Sequence, residues 1–212
     1  MSIPTELDVQ EAADALIRTL SQSSGWKNTR IAIVGGAALQ YYLTQPSSPP
    51  MRITNNIDVV IRHNTQDSPI DHDLIQAVLR CDSDRFFIYK TDDGGLQSRT
   101  GVFIRFCEER ELSYRPSGFL SIIEAWRRGI TPYVPVEDLL VHKITSAPLR
   151  TIQRDCIADA DDALFLVKPV PGAQPPKIRL SAHQRVVLDQ AIGRFAEYSS
   201  LPEEFWRDIL QI

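Results

Sequence analysis

The chain has 212 residues, 43% of them hydrophobic, so it can bury a core and is not a disordered polymer. Its 23 Lys and Arg stand against 27 Asp and Glu, a formal charge of −4, which argues against a broad nucleic-acid-binding surface and leaves room only for a local basic pocket. No apolar run approaches the roughly 20 residues that span a bilayer. The N-terminal stretch lacks the basic and apolar regions of a secretory signal, and Cys81, Cys107 and Cys156 make no zinc or disulfide spacing. A cytoplasmic location with no membrane partner is the expectation.

Apolar residues Ala12, Ala13, Leu16, Ile17 and Leu20 recur at helical spacing over 9–20, and the polar run SQSSG ends that helix. Residues 31–34 are all apolar and bounded by glycine, which predicts a short buried strand. The run AALQYYLTQ reads as a helix, broken by PSSPP. In NIDVVIRH, Ile57, Val59 and Ile61 fall on one face of a strand and Asn56, Asp58 and Val60 on the other. A helix is predicted at DHDLIQAVLR, then two strands, RFFIYK and TGVFIRFCEE, joined by a turn at DDGG. PYVPV begins as a strand, helices follow over 136–144 and through QRDCIADADDALFLV, and a Pro-rich stretch precedes two final helices at 181–198 and 202–210. The order predicts an α+β fold, a mixed sheet packed on helices with a C-terminal helical region. The division expected is a domain over 1–167, a linker over 168–180 and terminal helices over 181–212.

Two features carry chemistry. Gly35 and Gly36 open a helix directly after a strand, where backbone can approach a bulky ligand and free N–H groups at the positive end of the helix favour a phosphate. Asp58, on the polar face of the next strand, could hold Mg²⁺ beside that phosphate. A tight strand-to-helix turn explains the glycine pair equally well. Lys143 alone reads as a solvated helix lysine. Asp155, Asp159 and Asp162 fall near one helix face and read as a solvated face paired with Arg150 and Arg154. Trp26, Trp126 and Trp206 read as core or interdomain anchors. WRRG at 126–129 reads equally as a basic contact or as a helix end with a glycine cap.

Glycine pair, helix and acid-bearing strand together resemble the DNA-polymerase-β-like nucleotidyltransferase superfamily. The chain is most similar to the branch holding the nucleotidyltransferase toxins of type IV toxin–antitoxin systems. Arg52 and Thr54 match that branch's Arg-x-Thr before the acidic strand, and Lys143, Ala147, Arg150, Arg154 and Asp155 match its basic helix. The likeness covers 31–167. It implies the nucleotidyltransferase fold and transfer of a nucleoside monophosphate from an NTP, with Mg²⁺, to an acceptor that is a small molecule, an RNA or a protein. On this likeness Asp58, Lys143 and Asp155 are the catalytic candidates. Gly35, Gly36, Arg52, Thr54 and Arg150 would bind the nucleotide, Asp58 with Asn56 would hold metal, and Asp155 and Asp159 would orient Lys143 or Arg150 or form part of the acceptor site.

The sequence departs from that pattern at two points. The first acid of the pair is Asn56, a neutral ligand. The strand expected to supply a third carboxylate is centred on Arg105, with Glu108 and Glu109 only at its end. Three readings stand side by side: a one-metal enzyme, a catalytically degenerate nucleotide-binding pseudoenzyme, and a fold reused for another small-molecule reaction or for partner binding.

Overall fold

The computed structural model describes residues 4–43, 54–62, 70–89, 95–168 and 178–212. Arg52, residues 92–94 of the DDGG turn and the Pro-rich residues 169–177 lie outside these. The chain divides into two compact units: one holds the first four helices and the whole sheet, the other residues 112–117 and everything from Pro135 onward.

The first unit opens with α1 (Glu6–Gln22). Thr5 caps it: its hydroxyl accepts from the Asp8 N–H, and the Asp8 carboxylate accepts from the Thr5 N–H at 2.7 Å. Strand β1 (Arg30–Val34) runs straight into α2 (Gly35–Leu43), and β2 (Asn56–Arg62) returns antiparallel to β1. Next come α3 (Ile70–Asp82), β3 (Phe86–Tyr89), β4 (Gly95–Ser98), β5 (Phe103–Glu108), β6 (Leu120–Ser121) and α4 (Ile122–Arg128). The sheet order is β3-β4-β5-β2-β1-β6, with β2 and β5 parallel. The alternation of β2 decides its faces. Ile57, Val59 and Ile61 join Ile31, Ile33, Ile104 and Phe106 in a core completed by α1, α3 and α4. Asp58 and Arg105 have the opposite parity and leave that core. Gly129, in the left-handed conformation at φ 59°, caps α4, so WRRG is a helix end.

The second unit holds α5 (Val136–Ser146), α6 (Gln153–Val167), α7 (Ala182–Ala196) and α8 (Glu203–Leu210). α5 packs on both α6 and α7, and α7 on α8. By their contacts the compact units part at 134/135, and the two last helices pack with α5 and α6. Trp206 is fully buried there, edge-on to Phe195 at 5.0 Å. Trp26 packs against the core of the first unit. Trp126 is no anchor: it is 44% exposed, with the Arg18 guanidinium 5.7 Å from its ring. Asp138 is wholly buried and accepts from the Tyr114 hydroxyl, the Ser117 N–H and hydroxyl, and the Gln184 amide at 2.8 Å. Burial, and then the bond to Asp138, push the Tyr114 hydroxyl's pKa upward, so it stays a donor. These neutral donors pin the 112–117 segment and α7 to α5.

Candidate functional site

Gly35 is buried and takes φ 70°, a left-handed backbone that glycine enters without penalty. The register sets Val34 opposite Asp58, so the chain leaves β1 beside that carboxylate. A Cβ on Gly35 would lie 2.6 Å from Asp58 Oδ2, and one on Gly36 would lie 2.8 Å from Thr54 Oγ1. The two glycines, Thr54 and Asp58 therefore meet at the mouth of α2. Thr54 Oγ1 accepts from the Asn56 N–H at 3.2 Å, fixing the entry to β2. Gly35→Ala is expected to cost about 1–2 kcal/mol from the left-handed backbone alone, with a further cost as the methyl displaces Asp58. A urea midpoint unchanged by the substitution would contradict this.

Asp58 faces a cation of the protein itself. Parallel pairing sets Arg105 beside it, and Arg105 Nε and Nη2 both reach Asp58 Oδ1, at 3.0 and 2.8 Å. The Asp58 side chain is 19% exposed and that of Arg105 55%. Asn56 is exposed and brings no charge. Glu108 is held by Arg110 at 2.7 Å, and Glu109 by Arg62 through both carboxylate oxygens. Among the described residues no three His, Cys, Asp or Glu converge on a metal position. Mg²⁺ in nucleotide sites is held by one or two carboxylates together with the substrate's phosphates; this donor set offers the Asp58 carboxylate, already paired with Arg105. Without a nucleotide's phosphates these residues alone make no Mg²⁺ site. Cys107 lies two residue pairs along the same strands, and burial pushes its thiol up to about 12, away from the thiolate form.

No family model matches the chain, and no curated protein sequence matches it. A solved structure does: an antigenic nucleotidyltransferase-like protein from Paracoccidioides brasiliensis is 18% identical, with 90% of each chain covered and a TM-score of 0.50. This chain has the nucleotidyltransferase fold. Terminal uridylyl transferase 4 from Trypanosoma brucei, solved with bound UTP, is 10% identical over 92% of this chain and 73% of that one, and its TM-score of 0.31 is too low to carry an argument. Among the described residues no helix is long and apolar enough to cross a membrane.

The remaining candidates of the nucleotidyltransferase pattern lie in the second unit. Lys143 is 3% exposed, with its ammonium 2.7 Å from Asp159 Oδ1 and 2.6 Å from Asp162 Oδ2. Asp159 Oδ2 takes Arg150 Nε at 2.8 Å and the Ser146 hydroxyl at 3.3 Å. The expected solvated acidic face is thus corrected: Asp159 and Asp162 are buried, because α6 turns that face onto α5. Lys143 is likewise no solvated lysine. Asp155 does not join it; half-exposed, it meets Arg154 at 3.9 Å. Sequence reasoning missed Asp138 as a buried anchor, and only its place one turn before His142 and Lys143 on an otherwise apolar helix face hinted at it.

Proposed function

We propose that this chain is a catalytically degenerate nucleotidyltransferase-fold protein: it binds a nucleotide polyphosphate at the mouth of α2 without divalent metal and transfers no nucleotidyl group. The observation that carries this is the Arg105 guanidinium on Asp58. A bare carboxylate beside the helix mouth would repel a polyphosphate, and active relatives of the fold offset that repulsion with bound cations. Here a fixed, half-exposed guanidinium supplies the positive charge, and unlike a metal it offers no open coordination position at which to activate an attacking group. The first turn of α2 favours a phosphate through its N–H groups, and the two glycines let Asp58 and Thr54 close on that turn, 2.6 and 2.8 Å from where a Cβ would sit. Thr54 is the proposed hydroxyl contact.

Calorimetric titration with ATP and UTP, in EDTA and in Mg²⁺, tests this reading. Native protein is expected to bind with the same affinity in both. Arg105→Ala, which exposes the charge of Asp58, is expected to weaken binding in EDTA by about tenfold or more and to regain it in Mg²⁺. Binding by the native protein that appears only with Mg²⁺ would overturn metal independence, and no binding in either condition would remove the nucleotide from the proposal.

A further inference from the structure

The first unit carries a cleft of about 320 Å³ at the edge of its core, lined by α1 on one side and the β3–β4 hairpin on the other. Small residues open it: Ala12 and Ala15 form the α1 wall, where larger side chains would fill the space, and Phe86 closes the floor. Arg85 and Arg99 stand together on the hairpin side because the Arg99 N–H donates to the Arg85 carbonyl at 3.0 Å. Ser98 and Thr100 add hydroxyls 2.9 Å apart, and Ser98 Oγ is fixed further by accepting from the Val102 N–H at 3.1 Å.

The charges of this cleft are unbalanced in an informative way. Among the described residues Glu11, on the α1 side, has no ion-pair partner and the Arg99 guanidinium donates to the Asp84 carbonyl. Opposite charges line one cleft without touching, since no Glu11–Arg99 pair forms within 4.0 Å. Arg85 leans on Asp82 at 3.4 Å and is 53% exposed, which leaves it free to turn. We infer that this cleft is a binding site for a small amino-acid-like zwitterion with an apolar side group. Its carboxylate bridges Arg99 and Arg85, its ammonium reaches Glu11, and its apolar part lies on Ala12, Ala15 and Phe86. Guanidinium groups suit a carboxylate through paired N–H donors, and a ligand spanning both charges satisfies each without the protein having to close. The inference is independent of the nucleotide site and needs no metal.

The test is a titration of ¹⁵N-labelled full chain with L-phenylalanine, phenylacetate and phenethylamine, followed by amide NMR shifts. Saturable shifts centred on α1 and the 85–102 hairpin are expected, with phenylalanine binding more tightly than either fragment. Arg99→Gln should weaken phenylalanine and phenylacetate by about tenfold and leave phenethylamine unchanged, and Glu11→Gln should do the converse. Both positions are on the surface, so the variants keep the native spectrum elsewhere, and Arg105→Ala should alter none of the three titrations. No saturation by phenylalanine up to ~10 mM, equal binding of all three probes, or affinities unmoved by both charge substitutions would overturn the inference.

Discussion

Lys143→Met is expected to destabilise the second unit by about 3–5 kcal/mol, the range for removing one partner of a buried ion cluster. The side chain is 3% exposed and its ammonium serves Asp159 and Asp162 together, so methionine fills the volume but leaves two buried carboxylates short of a cation. Arg150 still reaches Asp159 at 2.8 Å. Burial alone would raise the Asp159 carboxyl, but the charges and hydrogen bonds of Lys143 and Arg150 outweigh it and hold the group below its ordinary value of 3.8. A carboxyl depressed in the folded state adds stability above its unfolded pKa and loses it as pH falls through the folded one. The gap between native and variant protein should therefore be full at neutral pH and narrow below about pH 4. Urea unfolding at both pH values measures it, and Asp162→Leu added to Lys143→Met should recover part of the loss. An unchanged midpoint for Lys143→Met would mean that the lysine is not structural, and would return it to the catalytic candidates.

Asn56→Asp combined with Arg105→Asp is expected to create divalent-metal affinity where the native site has the Asp58 carboxylate paired with Arg105. The double substitution places three carboxylates around the Gly35 turn, two on β2 and one on β5 across the parallel register. Binding of Mn²⁺ on the order of 10⁻³ M or tighter, the weak end of carboxylate sites, is the expected gain, read by paramagnetic broadening of amides near Gly35. Without metal the three like charges repel, so the double variant should be less stable in EDTA than in Mn²⁺, and the native protein indifferent to the choice. Either single substitution should do less, because Arg105 alone still neutralises Asp58 and Asn56 alone still withholds a charge.

The candidate site was readable in the sequence to the extent that it depends on local pattern. Clean alternation in β2 assigned Ile57, Val59 and Ile61 to the core and Asp58 to the other face, and the glycine pair marked the strand-to-helix turn. Arg105 was visible as a departure from the nucleotidyltransferase pattern, but not as the partner of Asp58, since that needs the parallel register of β2 and β5, a long-range pairing. Strands β4 and β6 left no signal: Gly95–Ser98 has one large apolar residue, and Leu120–Ser121 is two residues long. Lys143, Asp159 and Asp162 look like surface charges one at a time, and only the packing of α5 on α6 buries them together. A Pro-rich stretch reads as a domain linker by composition, although the helices on both sides of it share one core.

The most direct test of the account is pyrophosphate release by the native protein incubated with each of the four NTPs, Mg²⁺ or Mn²⁺ and a mixed pool of cellular acceptors. With Arg105 seated on the Asp58 carboxylate at the mouth of α2, no release above the protein-free background is expected. Release that depends on divalent metal and disappears in Asp58→Ala would contradict the account and establish an active nucleotidyltransferase.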